Sequence, residues 1–315
     1  LKTVNDCVII QKDTIDKKYI LQNINVSADG NSIYLLSKAY SKEKGEKKAK
    51  YQFEISKFTQ DNTELQTIDI KDHLINSLKT LVNEDKLICI GFFSNENDYW
   101  YKGISYFELD PLTLALKKSK FNNFSEQFII DKYGEIKDNE LKYLIFRSIL
   151  TSKNNELIFN AEESYNTYTS TAPSSFGGVS GGSSVSHYDD IVSIKIDKDG
   201  DLIWSRNINK KQTANLNYAS YSSSLINNDA YFFINASEKI KNLDNNRVEF
   251  RDTSKNNYNL NLIRINPNGD FEYQEILTNE ENEVPFMVSN GIKSGNSVFF
   301  LGQKGTKKQL LKVSL

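Results

Sequence analysis

The stretch Asp190-Ile-Val-Ser-Ile-Lys-Ile-Asp-Lys-Asp-Gly-Asp-Leu-Ile-Trp-Ser-Arg-Asn-Ile208 decides the fold. Two alternating runs, Ile191 to Ile196 and Asp201 to Ile208, flank Asp197-Lys198-Asp199-Gly200. Asp-Gly between alternating apolar runs marks a β-hairpin, because a tight hairpin turn needs a residue that tolerates positive φ. The pattern returns at Asn259 to Leu277, with Asn268-Gly269 in the turn and Tyr273 where Trp204 stands in the first copy. One hairpin cannot bury its apolar face alone, so a repeated hairpin implies a stacked array of sheets.

Working outward, five segments read as the second strand of a repeat: Asn31–Ser37, Asp85–Gly91, Asn155–Asn160, Asp229–Asn235 and Asn296–Gly302. Each follows a short polar turn and another extended run, and each precedes a third strand; in four units a fourth strand comes next. Four antiparallel strands, repeated about five times, are the signature of a β-propeller. The expected fold is thus all-β, a β-propeller of four-stranded antiparallel blades, five visible and open to being part of a larger ring. A single domain over 1–315 would hold blades at about 18–71, 74–121, 141–209, 217–278 and 285–315. The last blade lacks its fourth strand, and Val4 to Gln11 is expected to supply it; alternatively that run finishes a blade of a larger ring. The repeats are longer than the ~40–50 residues of compact blades. The extra residues fall in Lys38–Lys50, Asn95–Lys102, Asn122–Glu140, Glu162–Asp189 and Ser237–Tyr258, all expected on one face of the disc.

Composition agrees with strands. Aromatics make up 12% of the 315 residues, with 17 Tyr and 18 Phe against one Met, and aromatic residues favour sheets. A net charge of −2 leaves no electrostatic footprint for nucleic acid. No apolar run reaches the ~18 residues of a membrane span. The chain starts at Leu1, which points to processing from something longer. Cys7 and Cys89, the only cysteines, read either as a disulfide of an oxidising compartment or as two buried thiols.

The segments Gly30–Tyr40, Cys89–Asn95, Asp190–Trp204, Asn209–Gln212 and Tyr218–Ser222 resemble an uncharacterised family of secreted β-propeller-like proteins from Gram-negative cell envelopes. The resemblance implies a secreted, periplasmic or outer-membrane-associated protein and carries over no catalytic residue.

Motifs that could carry chemistry are sparse. Gly178-Val179-Ser180-Gly181-Gly182 matches the G-x-S-x-G elbow but lies in a Gly- and Ser-rich stretch with no helix after it. Asp197, Asp199 and Asp201 have the spacing of calcium ligands, yet Gly and Glu are missing from the positions such a loop requires, so a plain hairpin turn is expected. Glycosidases need paired carboxylates, and the proposed inner strands hold no Asp or Glu. They offer Lys79, Arg147, Tyr218, Ser220, Tyr221 and Ser222 instead, a polar to basic channel mouth. The run Lys42–Lys50 interleaves Lys and Glu and reads as a solvated loop.

Tyr99-Trp100-Tyr101 cannot all face a core, since neighbours on a strand alternate sides. With Tyr165, Tyr168, Phe176 and Tyr188 these residues form a candidate binding set. The leading expectation is a non-catalytic binding or assembly module of the envelope, not an enzyme and without cofactor or metal. A protein partner is expected and carbohydrate is possible. The alternatives are an accessory subunit of an outer-membrane transport or secretion complex, and a carbohydrate-active enzyme.

Overall fold

The computed structural model describes residues 17–41, 50–83, 85–95, 98, 100–137, 141–170, 182–213, 219–237, 240–242, 247–251, 258–278, 280–281 and 283–315. The chain has the all-β fold expected, built from antiparallel, multi-stranded sheets that follow one another in sequence. It divides into two compact units, Leu1–Asn123 and Phe124–Leu315.

In the first unit, β1 (Lys17–Val26), β2 (Ile33–Ser41), β3 (Lys50–Phe58) and β4 (Thr63–Ile68) form a meander in sequence order. A second sheet follows from β5 (His73–Ile75), β6 (Lys79–Asn83), β7 (Lys86–Asn95), β8 (Gly103–Leu109) and β9 (Leu116–Asn123). The stretch Leu74–Val82 takes part in two strands: β5 pairs with the end of β7 and β6 with its beginning. The break between them passes close over Gly91 of β7, where a Cβ would collide with the Ser77 carbonyl. Tyr34, Phe53 and Ile55 from the first sheet and Leu87, Phe107 and Leu109 from the second fill one core. Cys89 is a buried free thiol in it, and burial pushes its pKa up. Cys7 and Val4 to Gln11 lie outside the described residues, so the last blade is described with three strands.

The second unit opens with α1 (Glu126–Tyr133), inside a segment read from sequence as an insertion. Its ends are well signalled. The Ser125 Oγ accepts from the Phe128 N–H, and Gly134 closes the helix in the left-handed region. The third sheet contains β10 (Leu144–Thr151), β11 (Leu157–Ser170), β12 (Gly182–Ile196) and β13 (Leu202–Thr213). The fourth contains β14 (Tyr221–Ile226) and β15 (Asp229–Ala236). The next two strands, β16 (Ile240–Asn242) and β17 (Val248–Phe250), leave it and extend the third sheet, β17 running parallel to β13. The fourth sheet resumes with β18 (Asn259–Ile265) and β19 (Phe271–Leu277), and β20 (Ile292–Ser294), β21 (Ser297–Lys304) and β22 (Lys307–Ser314) make the fifth.

Two segments read as insertions therefore contain sheet. Within Glu162–Asp189, β11 and β12 stay paired from Ser164↔Tyr188 to Ser170↔Gly182. The Thr and Tyr residues of these stretches are β-branched or aromatic, and such side chains suit a pleated surface. Part of Ser237–Tyr258 covers the edge of β13, which an open sheet would leave with unpaired backbone groups. The Asp197 turn is a plain hairpin: Asp197 Oδ1 accepts from the Asp199 and Asp201 N–H groups at 2.8 and 2.9 Å.

Trp204 on β13 lies between the third and fourth sheets. It packs with Ile158, Tyr221, Phe232 and Ile263, and its indole N–H donates to the Pro267 carbonyl at 3.1 Å. Gly269 in the matching turn has φ of 93°, and a Cβ there would sit 3.0 Å from the indole. Trp204→Ala is expected to cost roughly 3–5 kcal/mol as a large-to-small core change. Chemical denaturation measures this, and a loss below about 1 kcal/mol would refute the packing role.

Candidate functional site

The second unit contains a cavity of about 560 Å³ lined by hydroxyl groups. Residues from β10 and from Ser220 to Ser223 make most of it, including Arg147, Ser148, Ser220, Ser222 and Ser223; Ser289 and Asn290 close one side. Local backbone irregularities aim these groups. Arg147 falls at a bulge in the β10–β11 register, between Phe146 and Ser148, and a bulge re-aims the side chain it carries. Ser220 has φ of 70° although it is not glycine. Such a conformation costs roughly 1–3 kcal/mol and needs support from its surroundings. The support is visible: the Ser220 N–H donates to Gln212 Oε1 at 2.8 Å, and its hydroxyl donates to Glu162 at 2.7 Å.

Glu162, on β11, is the anchor of this site. It is completely buried, accepts from Arg147 Nε at 2.8 Å and also from Arg147 Nη2, and lies 2.7 Å from Lys210 Nζ. Burial alone would raise its pKa; the charges of Lys210 and Arg147 outweigh that and hold the carboxyl below its usual range. The group is an ionised carboxylate sealed from solvent, with Oε2 accepting from Arg147 and Ser220 and Oε1 facing the Lys210 ammonium. It orients the Arg147 guanidinium, which stays one-third exposed toward the cavity. Tyr188 lines the same cavity, and its ring lies 5.7 Å from Lys210 Nζ.

One residue along, a second bulge at Glu163 interrupts the β11–β12 register. Here Lys132 from α1 donates to Glu163 at 2.7 Å and to Asp190 at 2.5 Å. One cation faces two carboxylates. Burial, with repulsion from Asp190, outweighs the attraction of Lys132 and raises the Glu163 pKa to about 7. The two carboxylates hold Lys132 well above the ordinary lysine range despite its burial. No group of three or more His, Cys, Asp or Glu suited to a metal occurs among the described residues.

The candidate aromatics separate into different settings. Tyr101 is buried in the first unit, where it packs on Phe92 and its hydroxyl accepts from Asn76 at 3.0 Å. Trp100 beside it is half-buried. Tyr165 and Tyr168 stand on the long hairpin of the second unit. Tyr165 stacks on His187 and donates to Asp189 at 2.7 Å, while Tyr168 is 78% exposed. Tyr188 is buried at the cavity wall. Tyr99, Phe176 and most of the G-x-S-x-G match lie outside the described residues. Four of the inner-strand residues singled out from the sequence, Arg147, Ser220, Tyr221 and Ser222, do come together around the cavity. Sequence reasoning missed Glu162 because it sits on a second strand; the adjacent pair Glu162-Glu163 inside an otherwise apolar and neutral strand was its signal.

No protein-family model matches the sequence, and neither does any curated protein sequence. Solved structures similar to the chain include a GH43 β-1,3-galactosidase, at 7% identity over 93% of this chain and 89% of that one, with a TM-score of 0.33. A mannose phosphorylase from Leishmania mexicana is 9% identical over 94% of this chain and 84% of that one, with a TM-score of 0.31. An apocarotenoid oxygenase from Synechocystis is 8% identical over 93% of this chain and 58% of that one, with a TM-score of 0.35. These neighbours are enzymes, mostly acting on carbohydrate. They are not the non-catalytic binding or assembly modules expected from the sequence, and that expectation is taken no further. Likeness this remote assigns neither substrate nor residue. Among the described residues no helix is long and apolar enough to cross a membrane.

The Glu163 cluster generates a pH dependence. In the folded chain Glu163 titrates at about 7, against an ordinary value of 4.5. Between these values the folded state holds a proton that the unfolded state has released, so this group's contribution is full at the acidic end and lost as pH rises through about 7. Glu163→Gln should flatten the fall in melting temperature across that window. A variant whose pH profile parallels that of the wild type would refute the assignment.

Proposed function

We propose that the chain acts on carbohydrate and that the hydroxyl-lined cavity of the second unit is where it holds the sugar. The observation that carries this reading is the composition and rigidity of the wall: serine hydroxyls, one amide and one guanidinium converge on a single cavity of about 560 Å³. Ligand sites usually fall in the range ~300–1,000 Å³ and fix their ligand with a few well-placed polar groups. A sugar ring presents alternating donors and acceptors, and hydroxyls that can both donate and accept are suited to it. The buried ionised Glu162 and the strained Ser220 hold two of these groups in place before any ligand arrives, which lowers the entropic cost of binding.

The cavity wall has a gripping role. Glycoside cleavage needs a protonated acid facing an ionised carboxylate. Among the described residues lining the cavity there is neither Asp nor Glu; Glu162 is not on the wall, and its Oε2 accepts from Arg147 and Ser220. Arg147 and Ser220 to Ser223 are thus assigned to substrate binding, with Glu162 as the residue that positions them.

Incubation of the protein with a panel of neutral and acidic oligosaccharides tests the reading, with calorimetry for binding and reducing-end release for turnover. At least one class should bind, and Ser223→Ala combined with Asn290→Ala should weaken it by about tenfold, the loss of one or two hydrogen bonds. Absence of binding and of turnover across the panel would overturn the proposal.

A further inference from the structure

We infer that the sugar held in this cavity is an anionic one, a saccharide bearing a carboxylate such as a hexuronate, with Arg147 as the residue that selects it. The inference rests on the carbohydrate reading above and names its substrate class.

Arg147 is the one charged side chain among the described residues that line the cavity. Its Nε and Nη2 are engaged by a single oxygen of Glu162. That leaves Nη1 and the second hydrogen of Nη2 on the guanidinium's outer edge, and the side chain is one-third exposed. An outer edge of this kind presents two parallel N–H donors, the geometry that matches a planar carboxylate bidentately.

Charge balance favours the same ligand. Glu162 is shared between Arg147 and the completely buried Lys210, so one carboxylate faces two cationic side chains. The Arg147 charge is therefore oriented by Glu162 and not fully cancelled by it. A neutral sugar would leave that edge to water. A carboxylate would complete the pairing in a partly enclosed setting, where charge-assisted bonds are stronger than at an open surface.

The serine hydroxyls that share the wall with the guanidinium remain for the ring hydroxyls of the same residue. No covalent step is involved; the inference concerns recognition alone.

Calorimetric titration of the intact protein with an oligogalacturonide, the methyl ester of the same oligosaccharide and a sulfated disaccharide tests it. The acidic oligosaccharide should bind at least tenfold more tightly than its methyl ester, and the preference should shrink as salt is raised. Arg147→Lys keeps the charge beside Glu162 but loses the fork, and should reduce the preference by about tenfold. Thermal melting establishes that this variant is folded; the comparison of acid with ester on the wild-type protein stands whether or not it is. Equal binding of acid and ester would overturn the anionic assignment while leaving the saccharide site intact. Preference for the sulfated sugar over the uronate would overturn the carboxylate class. Failure of these ligands together with every neutral oligosaccharide would overturn the carbohydrate reading itself.

Discussion

The second unit depends on charges that are buried and must be paired. Strands β11, β12 and β13 bury Glu162, Asp190, Lys195, Arg206 and Lys210, each with little or no contact with solvent. An unpaired charge in such a place would cost several kcal/mol. Pairing therefore dictates what packs on this sheet. Arg206 takes Asp131 of α1 with bonds of 2.6 and 3.0 Å, and its guanidinium stacks 3.8 Å from the Phe271 ring. The Asp131 carbonyl in turn accepts from Asn209 at 2.6 Å and Arg247 at 2.5 Å. A helix of eight residues, too short to be stable alone, is held in place by these bonds.

The cavity follows from the same constraint. Glu162 can be buried because Lys210 and Arg147 flank it, and Arg147 can reach it because the bulge in β10 turns the side chain. Ser220 accepts a strained backbone because Gln212 and Glu162 satisfy its N–H and hydroxyl. Gln212 also donates to the Asn235 carbonyl, which ties the end of β13 to β15. Arg147 and Ser220 are consequently held by bonds made behind the cavity wall.

Much of the blade order was legible because it rests on local signals. Asp199-Gly200 and Asn268-Gly269 mark their hairpins, and the alternating runs around them set register, since a slip by one residue would turn Ile263 and Ile265 out of the core. The insertions were misread for a physical reason. Polar strands such as Glu162–Ser170 have no apolar face, so their alternation leaves no signal in hydrophobicity, and they become strands only because a partner of equal polarity lies alongside. Val248–Phe250 was missed for another reason: it is only three residues long, and its pairing with β13 joins residues far apart in sequence. The burial of two candidate aromatics was hidden for a related reason: Tyr101 and Tyr188 look exposed in an insertion but are covered by neighbours the sequence does not name.

By itself the sequence determined an all-β chain of repeated antiparallel hairpins, the position of its turns, and a set of inner-strand residues that is basic and hydroxyl-rich, Arg147, Ser220 and Ser222 among them. These follow from residue periodicity and from backbone preferences that act within a few positions. Only the tertiary structure decided that Glu162 stands beneath Arg147, that Lys132 faces two carboxylates, and that the serines converge on one cavity. Those pairings depend on bulges that shift register by one residue and on burial that makes an unpaired charge intolerable, and neither is written in the periodicity of any one strand.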